Sequence, residues 1–262
     1  MTLDLNAPLL LHGDCMELMA TLPAHSVDFV CCDPPYGITD AKWDQGLDLS
    51  SLWTQLRRIL KPNGITALFA GNMFTFDIIQ SNLKAYKYRM IWVKSRPSGH
   101  LDAKFRPLRQ YEEICLFSDA GLKSTYYDPQ KSFGHAPYSK RSYSCSELWS
   151  TSKIVHTDAS DGSRYPTNVL QVKSVSSAER RHPTQKPVDL LSHLIKSYCP
   201  PGGMVLDFCM GSGSTGVAAV QCGRQFTGIE ISDEYFPKAR DAVNEAYSST
   251  WPELPVEEPR HE

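Results

Sequence analysis

The sequence predicts an α/β fold built on parallel strands, and three observations carry that reading. Short apolar runs stop abruptly at an acidic residue followed by proline or glycine. A helically spaced apolar stripe lies between two of these runs, making a strand–helix–strand unit. A third run leads into a glycine-rich turn that opens a helix. With 262 residues the chain is long enough for one such core plus a smaller inserted region.

Val27-Asp28-Phe29-Val30-Cys31-Cys32 is nearly continuous apolar sequence halted by Asp33-Pro34-Pro35, as suits a buried parallel strand ended by residues that cannot extend a ladder. Leu49, Leu52, Trp53, Leu56, Ile59 and Leu60 recur at helical spacing, and Lys61-Pro62-Asn63-Gly64 is expected to stop that helix as a turn. Residues 65–70 read as the next strand. Residues 89–93 and 113–117 read as two more, separated by a basic loop from Lys94 to Arg109. Over 118–181 the composition changes to interleaved Tyr, Ser, Lys and Arg with little apolar periodicity, which marks an insertion. Val188, Leu190, Leu191, Leu194 and Ile195 form a helical stripe stopped by Pro200-Pro201-Gly202-Gly203. Residues 204–208 are a strand, residues 217–220 lie in a helix, and residues 225–230 are the last strand. The Pro- and Glu-rich tail, 251–262, is expected to be loose.

The net charge of −2 advertises no polyanionic partner, so a nucleic-acid surface has to be a local patch. The eight cysteines (Cys15, Cys31, Cys32, Cys115, Cys145, Cys199, Cys209, Cys222) lack the paired spacing of a zinc site and read as reduced, mostly buried thiols; no metal is expected. With no secretory signal pattern and no apolar run near the ~20 residues that span a bilayer, a soluble, cytoplasmic protein with no membrane partner is expected.

Gly211-Ser212-Gly213-Ser214-Thr215-Gly216 after a strand ending in Asp207 brings backbone N–H groups and a helix N-terminus toward a ligand. Gly211-x-Gly213 alone is a common packing device. Glu230, at the end of the following strand, adds an acid placed to accept hydrogen bonds from ribose hydroxyls, and the two features predict a nucleoside-bearing cofactor. The spacing fits neither GxGxxG nor a phosphate-cradling P-loop. Asp33-Pro34-Pro35-Tyr36 would serve as an ordinary strand-ending turn. It also meets the needs of a nucleobase amine, whose lone pair is delocalised into the ring. The Asp33 carboxylate can accept one N–H, the Pro34 carbonyl the other, the prolines stiffen the turn, and Tyr36 offers a π-face to an extruded base.

These motifs resemble the Asp-Pro-Pro-Tyr family of DNA N6-adenine/N4-cytosine methyltransferases, in the permuted β arrangement where the catalytic motif precedes the cofactor motif. The resemblance covers nearly the whole chain and implies a class I S-adenosylmethionine-dependent methyltransferase fold, with a mostly parallel seven-stranded sheet between helices. It assigns residues 1–117 to the catalytic half, 118–181 to a target-recognition insertion and 182–250 to the cofactor-binding half. Asp33, Pro34, Pro35 and Tyr36 become the catalytic motif. Asp207, Phe208, Cys209, Gly211, Ser212, Gly213, Ser214 and Thr215 become the S-adenosylmethionine loop, and Glu230 the ribose ligand. His182-Pro183-Thr184-Gln185-Lys186-Pro187 resembles the segment beside the methionine end of the cofactor, and Leu11-His12-Gly13-Asp14-Cys15 the segment near its adenine. Cys209 departs from the family pattern, which often has an aromatic there, and leaves the shape of that wall open.

DNA contacts are expected from Trp43 in a target-base loop, from Arg96, Lys104 and Arg106 in the basic stretch, and from Lys140 and Arg141 in the insertion. Direct methyl transfer to adenine N6 is the favoured chemistry, because the family uses Ser in place of Asp33 more often for cytosine N4. A C5-cytosine enzyme needs a nucleophilic cysteine, typically in a Pro-Cys pair, and the chain has none. The rivals are an N4-cytosine methyltransferase, a protein or RNA methyltransferase, and an inactive DNA-binding or anti-restriction protein. Family members of this arrangement are often homodimers, and some work alongside a restriction endonuclease.

Overall fold

The computed structural model describes residues 7–37, 46–146, 149–176, 178, 180 and 182–251, with only the backbone for 140–158. The chain runs β1 (Leu9–His12), α1 (Cys15–Thr21), β2 (Val27–Cys32), α2 (Leu49–Ile59), β3 (Leu60–Ala70), α3 (Met73–Ser81), β4 (Tyr86–Ser98), β5 (Arg109–Phe117), β6 (Tyr138–Ser146), β7 (Trp149–Ala159), β8 (Val169–Gln171), α4 (Val188–Tyr198), β9 (Met204–Asp207), α5 (Ser214–Gln221), β10 (Gln225–Glu230) and α6 (Tyr235–Thr250). Two compact units result, one formed by Met1–Tyr127 with Asn168–Glu262 and the other by Asp128–Thr167.

The larger unit holds an eight-stranded sheet in the order β1-β10-β9-β2-β3-β5-β4-β8. The first five of these run parallel, β5 is antiparallel to both β3 and β4, and β8 is parallel to β4. The eighth strand exceeds the seven expected because β8, from the region read as pure insertion, adds to the edge with Val169, Leu170 and Gln171 beside Ile91, Trp92 and Val93. At the centre β2 pairs with β9 through Phe29 opposite Val205 and Val30 opposite Leu206. From this pair the chain winds outward in both directions, so a topological switch point falls between β2 and β9. Ligands of open α/β sheets bind at such points, beyond the carboxyl ends of the strands.

Both sheet faces are buried, which is why β2 has no polar alternation. Phe29 and Cys31 pack into a core completed by Leu190, Leu191 and Leu194 of α4, Ala218 and Ala219 of α5 and Val243 of α6. Val30 and Cys32 pack on the opposite side against Met19 of α1, Leu52, Trp53 and Leu56 of α2 and Phe74 of α3. Burying each large apolar side chain contributes about 1.5–3 kcal/mol. The stripe read from the sequence for α2 is the buried stripe, and Asp48 caps the helix by accepting from Ser50 and Ser51 N–H at 3.2 Å.

Two local readings are corrected. Lys61-Pro62-Asn63-Gly64 lies inside β3: Leu60 pairs with Val27, the register then shifts, and Ile65 resumes opposite Phe29. A bulge absorbs the proline that suggested a turn. The strand read as 89–93 extends through β4 to Ser98, so Lys94 and Arg96 stand on a strand held by β5 rather than on a loop.

In the smaller unit, β6 and β7 form an antiparallel pair from Tyr138 opposite Ala159 to Ser146 opposite Trp149. Ser132 and Arg164 bridge at its base. No helix among the described residues is long and apolar enough to cross a membrane.

Candidate active site

Asp33 follows directly on β2. The ladder ends there because Pro34 and Pro35 have no N–H to donate. Asp33 Oδ1 accepts from the Tyr36 hydroxyl at 2.9 Å, and Oδ2 accepts from the Lys186 ammonium. The Tyr36 ring stacks on Phe74 of α3, centroids 4.6 Å apart. Lys186 is buried at 7% exposure, sits 4.9 Å over the Phe69 ring and lies 3.3 Å from Glu112 Oε2. Glu112 Oε1 in turn accepts from Lys94 at 3.2 Å. Two carboxylates and two ammonium groups therefore share one corner of the cleft. Burial pushes the Asp33 carboxyl up, Lys186 pulls it down less strongly, and the facing Glu112 adds to the rise. Burial would lower Lys186, but the Asp33 and Glu112 carboxylates overrule it and hold the ammonium above its ordinary value. Glu112 stays below the usual carboxylate range because Lys186 and Lys94 outweigh its burial.

The second half of the site follows β9. Asp207, 3% exposed, accepts from Cys209 N–H at 3.1 Å and from the Thr215 and Cys32 side chains; burial nevertheless pushes it up to about 6. Gly211, at φ +50°, gives its N–H to Glu230 Oε2 at 2.8 Å, and Ser232 N–H gives to Glu230 Oε1 at 2.8 Å. These two bonds fix the Glu230 carboxylate at the end of β10 and leave each oxygen a further acceptor direction. Packing gives Gly213 a reason of its own to be glycine. It has φ +77°, it caps α5, and a Cβ there would meet Ala239 O at 2.8 Å. The missing side chain lets α6 pack closely on the loop, while Gly211, Ser212, Ser214 and Thr215 line the cleft. His182 lies below Gly211, with its ring edge-on to Tyr235 at 4.2 Å; burial, then the nearby Lys186, lower it to about 4, so it is neutral near pH 7.

Both halves open into one cleft of about 1460 Å³. That exceeds the roughly 300–1,000 Å³ of a pocket for one small molecule and has room for a cofactor beside an extruded base. Asp14 and Cys15 border it, Asp14 also capping α1 by accepting from Met16 N–H at 2.8 Å and Glu17 N–H at 3.1 Å. Cys209 also lines it, its thiol hydrogen-bonded with Cys15 and Cys32, so a cluster of small sulfur groups fills the position where an aromatic was expected. The Phe208 side chain, 1% exposed, turns into the core behind this wall. Lys186, expected at the methionine end of a cofactor, lines the cleft and reaches Asp33, because the loop before α4 crosses to the end of β2. Of the expected DNA contacts, Arg96 and Arg106 border the cleft and Lys104 does not. Trp43 and the Lys140 and Arg141 side chains lie outside the described residues. Lys94 and Trp92, in the basic stretch with its interleaved aromatics, line the site, and so does Glu112, which was invisible as a site residue in the sequence. The only signal for Glu112 is a pair of acids within β5, whose antiparallel register with β4 alone brings it to the catalytic edge.

Comparison with known proteins places this arrangement. The chain is 29% identical over 244 residues to the DNA adenine methyltransferase YhdJ of Escherichia coli K12, covering 87% of this chain and 80% of that one. It is 26% identical over 273 residues to the type II methyltransferase M2.DpnII of Streptococcus pneumoniae, covering 92% of each. Its fold matches the crystal structure of the M1.HpyAVI–SAM complex with a TM-score of 0.63 at 23% identity, covering 91% of this chain and all of that one. The DNA methylase family model, named for N6 and N4 methyltransferases, matches residues 27–241, from the first residue of β2 into α6, and the chain belongs to that family.

Proposed function

We propose that the chain is a site-specific DNA methyltransferase that moves a methyl group from S-adenosylmethionine to the N6 amine of a flipped-out adenine. The observation that carries this reading is the meeting of Asp33 and Glu230, at the ends of β2 and β10, in one cleft across the switch point. The residues fit the cofactor. Glu230 is preset by two backbone N–H groups and has acceptor capacity left for ribose hydroxyls. The N-terminus of α5 behind Ser212 and Ser214 favours a carboxylate, and Asp14, which borders the cleft, would accept from an adenine amino group. When bound there, S-adenosylmethionine supplies an electrophilic methyl group on a sulfonium sulfur. The protein's part is orientation. Asp33 accepts one N–H of the target amine, the Pro34 carbonyl accepts the other, and Tyr36, backed by Phe74, is a stiff platform for the base. The proton released on methylation is held first by Asp33, whose raised affinity for it suits that role.

Adenine is favoured over cytosine by Asp33 itself and by the name of the Escherichia coli relative. N4-cytosine transfer is the second reading, because the family model covers both bases. We assign target recognition to the 128–167 unit, whose hairpin carries Lys140 and Arg141, and phosphate contact to Arg96 and Arg106. The family resemblance extends the reading to a soluble cytoplasmic homodimer with a cognate restriction endonuclease; sedimentation velocity checks the dimer. The test of function is incubation with methyl-labelled S-adenosylmethionine and mixed DNA, followed by digestion to nucleosides. Label in N6-methyladenine is expected. Label in N4-methylcytosine moves the target to the second base, and absence of label from DNA overturns the reading.

A further inference from the structure

The corner around Asp33 contains one more charge than amine recognition requires. Asp33 Oδ1 is occupied by Tyr36 and Oδ2 by Lys186. Each oxygen keeps a further acceptor direction, so a target amine can donate to Asp33, but that amine gains positive charge as the methyl arrives. An ammonium seated on Asp33 repels that charge. The ammonium therefore needs a second seat nearby. Glu112 provides one. Its Oε1 is anchored by Lys94 at 3.2 Å, and Lys94 is itself tied to Ser98 Oγ at 3.2 Å. Its Oε2 is buried and accepts no hydrogen bond among the described residues. That oxygen lies 3.3 Å from Lys186 Nζ, close enough for ion pairing but misaligned for a hydrogen bond. A small swing of the Lys186 head would complete the bond.

We propose that Glu112 is a positioning residue for methyl transfer: it receives the Lys186 ammonium when the target amine takes Asp33, so the cation is drawn away from the developing charge without leaving a buried charge unpaired. This rests on the role of Asp33 given above. The swing makes and breaks only hydrogen bonds, and net charge at the site is conserved. The other titratable groups facing the pair are Tyr36 from the Asp33 loop, Cys31 and Cys32 on β2, Lys94 on β4, His182 in the loop that carries Lys186, and Asp207 at the end of β9.

The test is the single-turnover methylation rate of the wild type, Glu112→Gln and Glu112→Asp from about pH 5 to pH 9. With the Glu112 charge removed, Lys186 stays on Asp33. The plateau rate of Glu112→Gln is then expected to fall about tenfold to hundredfold. Its acid limb is expected to move to lower pH, because the carboxylate that raises Asp33 is gone. Glu112→Asp keeps the charge, so its limb should stay in place and part of the plateau should return. An unchanged plateau in Glu112→Gln overturns the proposal, and so does a lowered plateau with the limb unmoved, which is the mark of a merely structural loss. Should Glu112→Gln fail to fold, Glu112→Asp decides: a displaced limb refutes the proposal and a limb in place supports it. Failure of the wild type to methylate any DNA amine would instead remove the Asp33 reading beneath it.

Discussion

Gly213→Ala separates two reasons for a glycine in the loop after β9. The residue has φ +77°, a conformation that costs an L-residue about 1–2 kcal/mol. The added Cβ would also sit 2.8 Å from Ala239 O and 3.0 Å from Ala239 Cα, backbone atoms of α6 that cannot rotate away. Overpacking of this kind costs about 1–3 kcal/mol. The sum is about 2–5 kcal/mol. Gly202→Ala is the control: φ there is +70° with nothing within 4 Å of the Cβ, so strain acts alone at about 1–2 kcal/mol. The small entropic gain from stiffening the unfolded chain is common to both variants and cancels between them. Urea unfolding followed by circular dichroism should place Gly213→Ala about 1–3 kcal/mol below Gly202→Ala. In thermal unfolding each kcal/mol corresponds to about 2–4 °C for a chain of this size. A Gly213→Ala protein as stable as Gly202→Ala would refute the packing argument and return the glycine to the cofactor.

Two other expectations follow from the same geometry. Glu230→Gln keeps the shape but loses the charge, and its amide N–H₂ must face one of the backbone donors, Gly211 or Ser232; S-adenosylmethionine affinity by calorimetry should fall about tenfold to hundredfold, and unchanged affinity would contradict the ribose role. His182 is lowered to about 4 when folded, below its unfolded value near 6.5, so the unfolded chain binds the extra proton and stability falls as pH drops through that window. At pH 5 this amounts to up to about 2 kcal/mol, or about 1 kcal/mol after allowance for partial solvent access. Asp207, raised to about 6, titrates with the opposite sign and is common to wild type and variant. His182→Gln should therefore lose less stability between pH 7 and pH 5 than the wild type, and equal losses would contradict a buried neutral histidine.

Much of the fold was legible because a parallel sheet writes its strands as apolar runs with abrupt ends. β2, β9 and β10 were read to within a residue or so, and the helices α2 and α4 by their stripes. What escaped depended on pairing at a distance. β1 and α1 are too short to show a period, and β8 has three residues whose strand character comes from lying beside β4. The bulge in β3 hid behind Pro62, since proline signals a turn locally and is tolerated at a register shift only with a partner strand in place. The same limit applied at the site. Asp33, Tyr36 and Glu230 stood out because their types at strand ends have a chemical use. Glu112 did not, because an acid within an antiparallel strand is ordinary until the fold sets it against Lys186. Lys186 was noticed for the cofactor, but its link to Asp33, spanning most of the chain, was not legible.

The central claim is that Asp33 holds the amine, and single-turnover transfer by Asp33→Ala tests it most directly. With folding checked by circular dichroism and S-adenosylmethionine affinity measured on the same sample, the rate should fall by about 10² to 10³ or more while cofactor affinity stays within about threefold, because Glu230 and the α5 N-terminus are untouched. Transfer at the wild-type rate by Asp33→Ala would contradict the account.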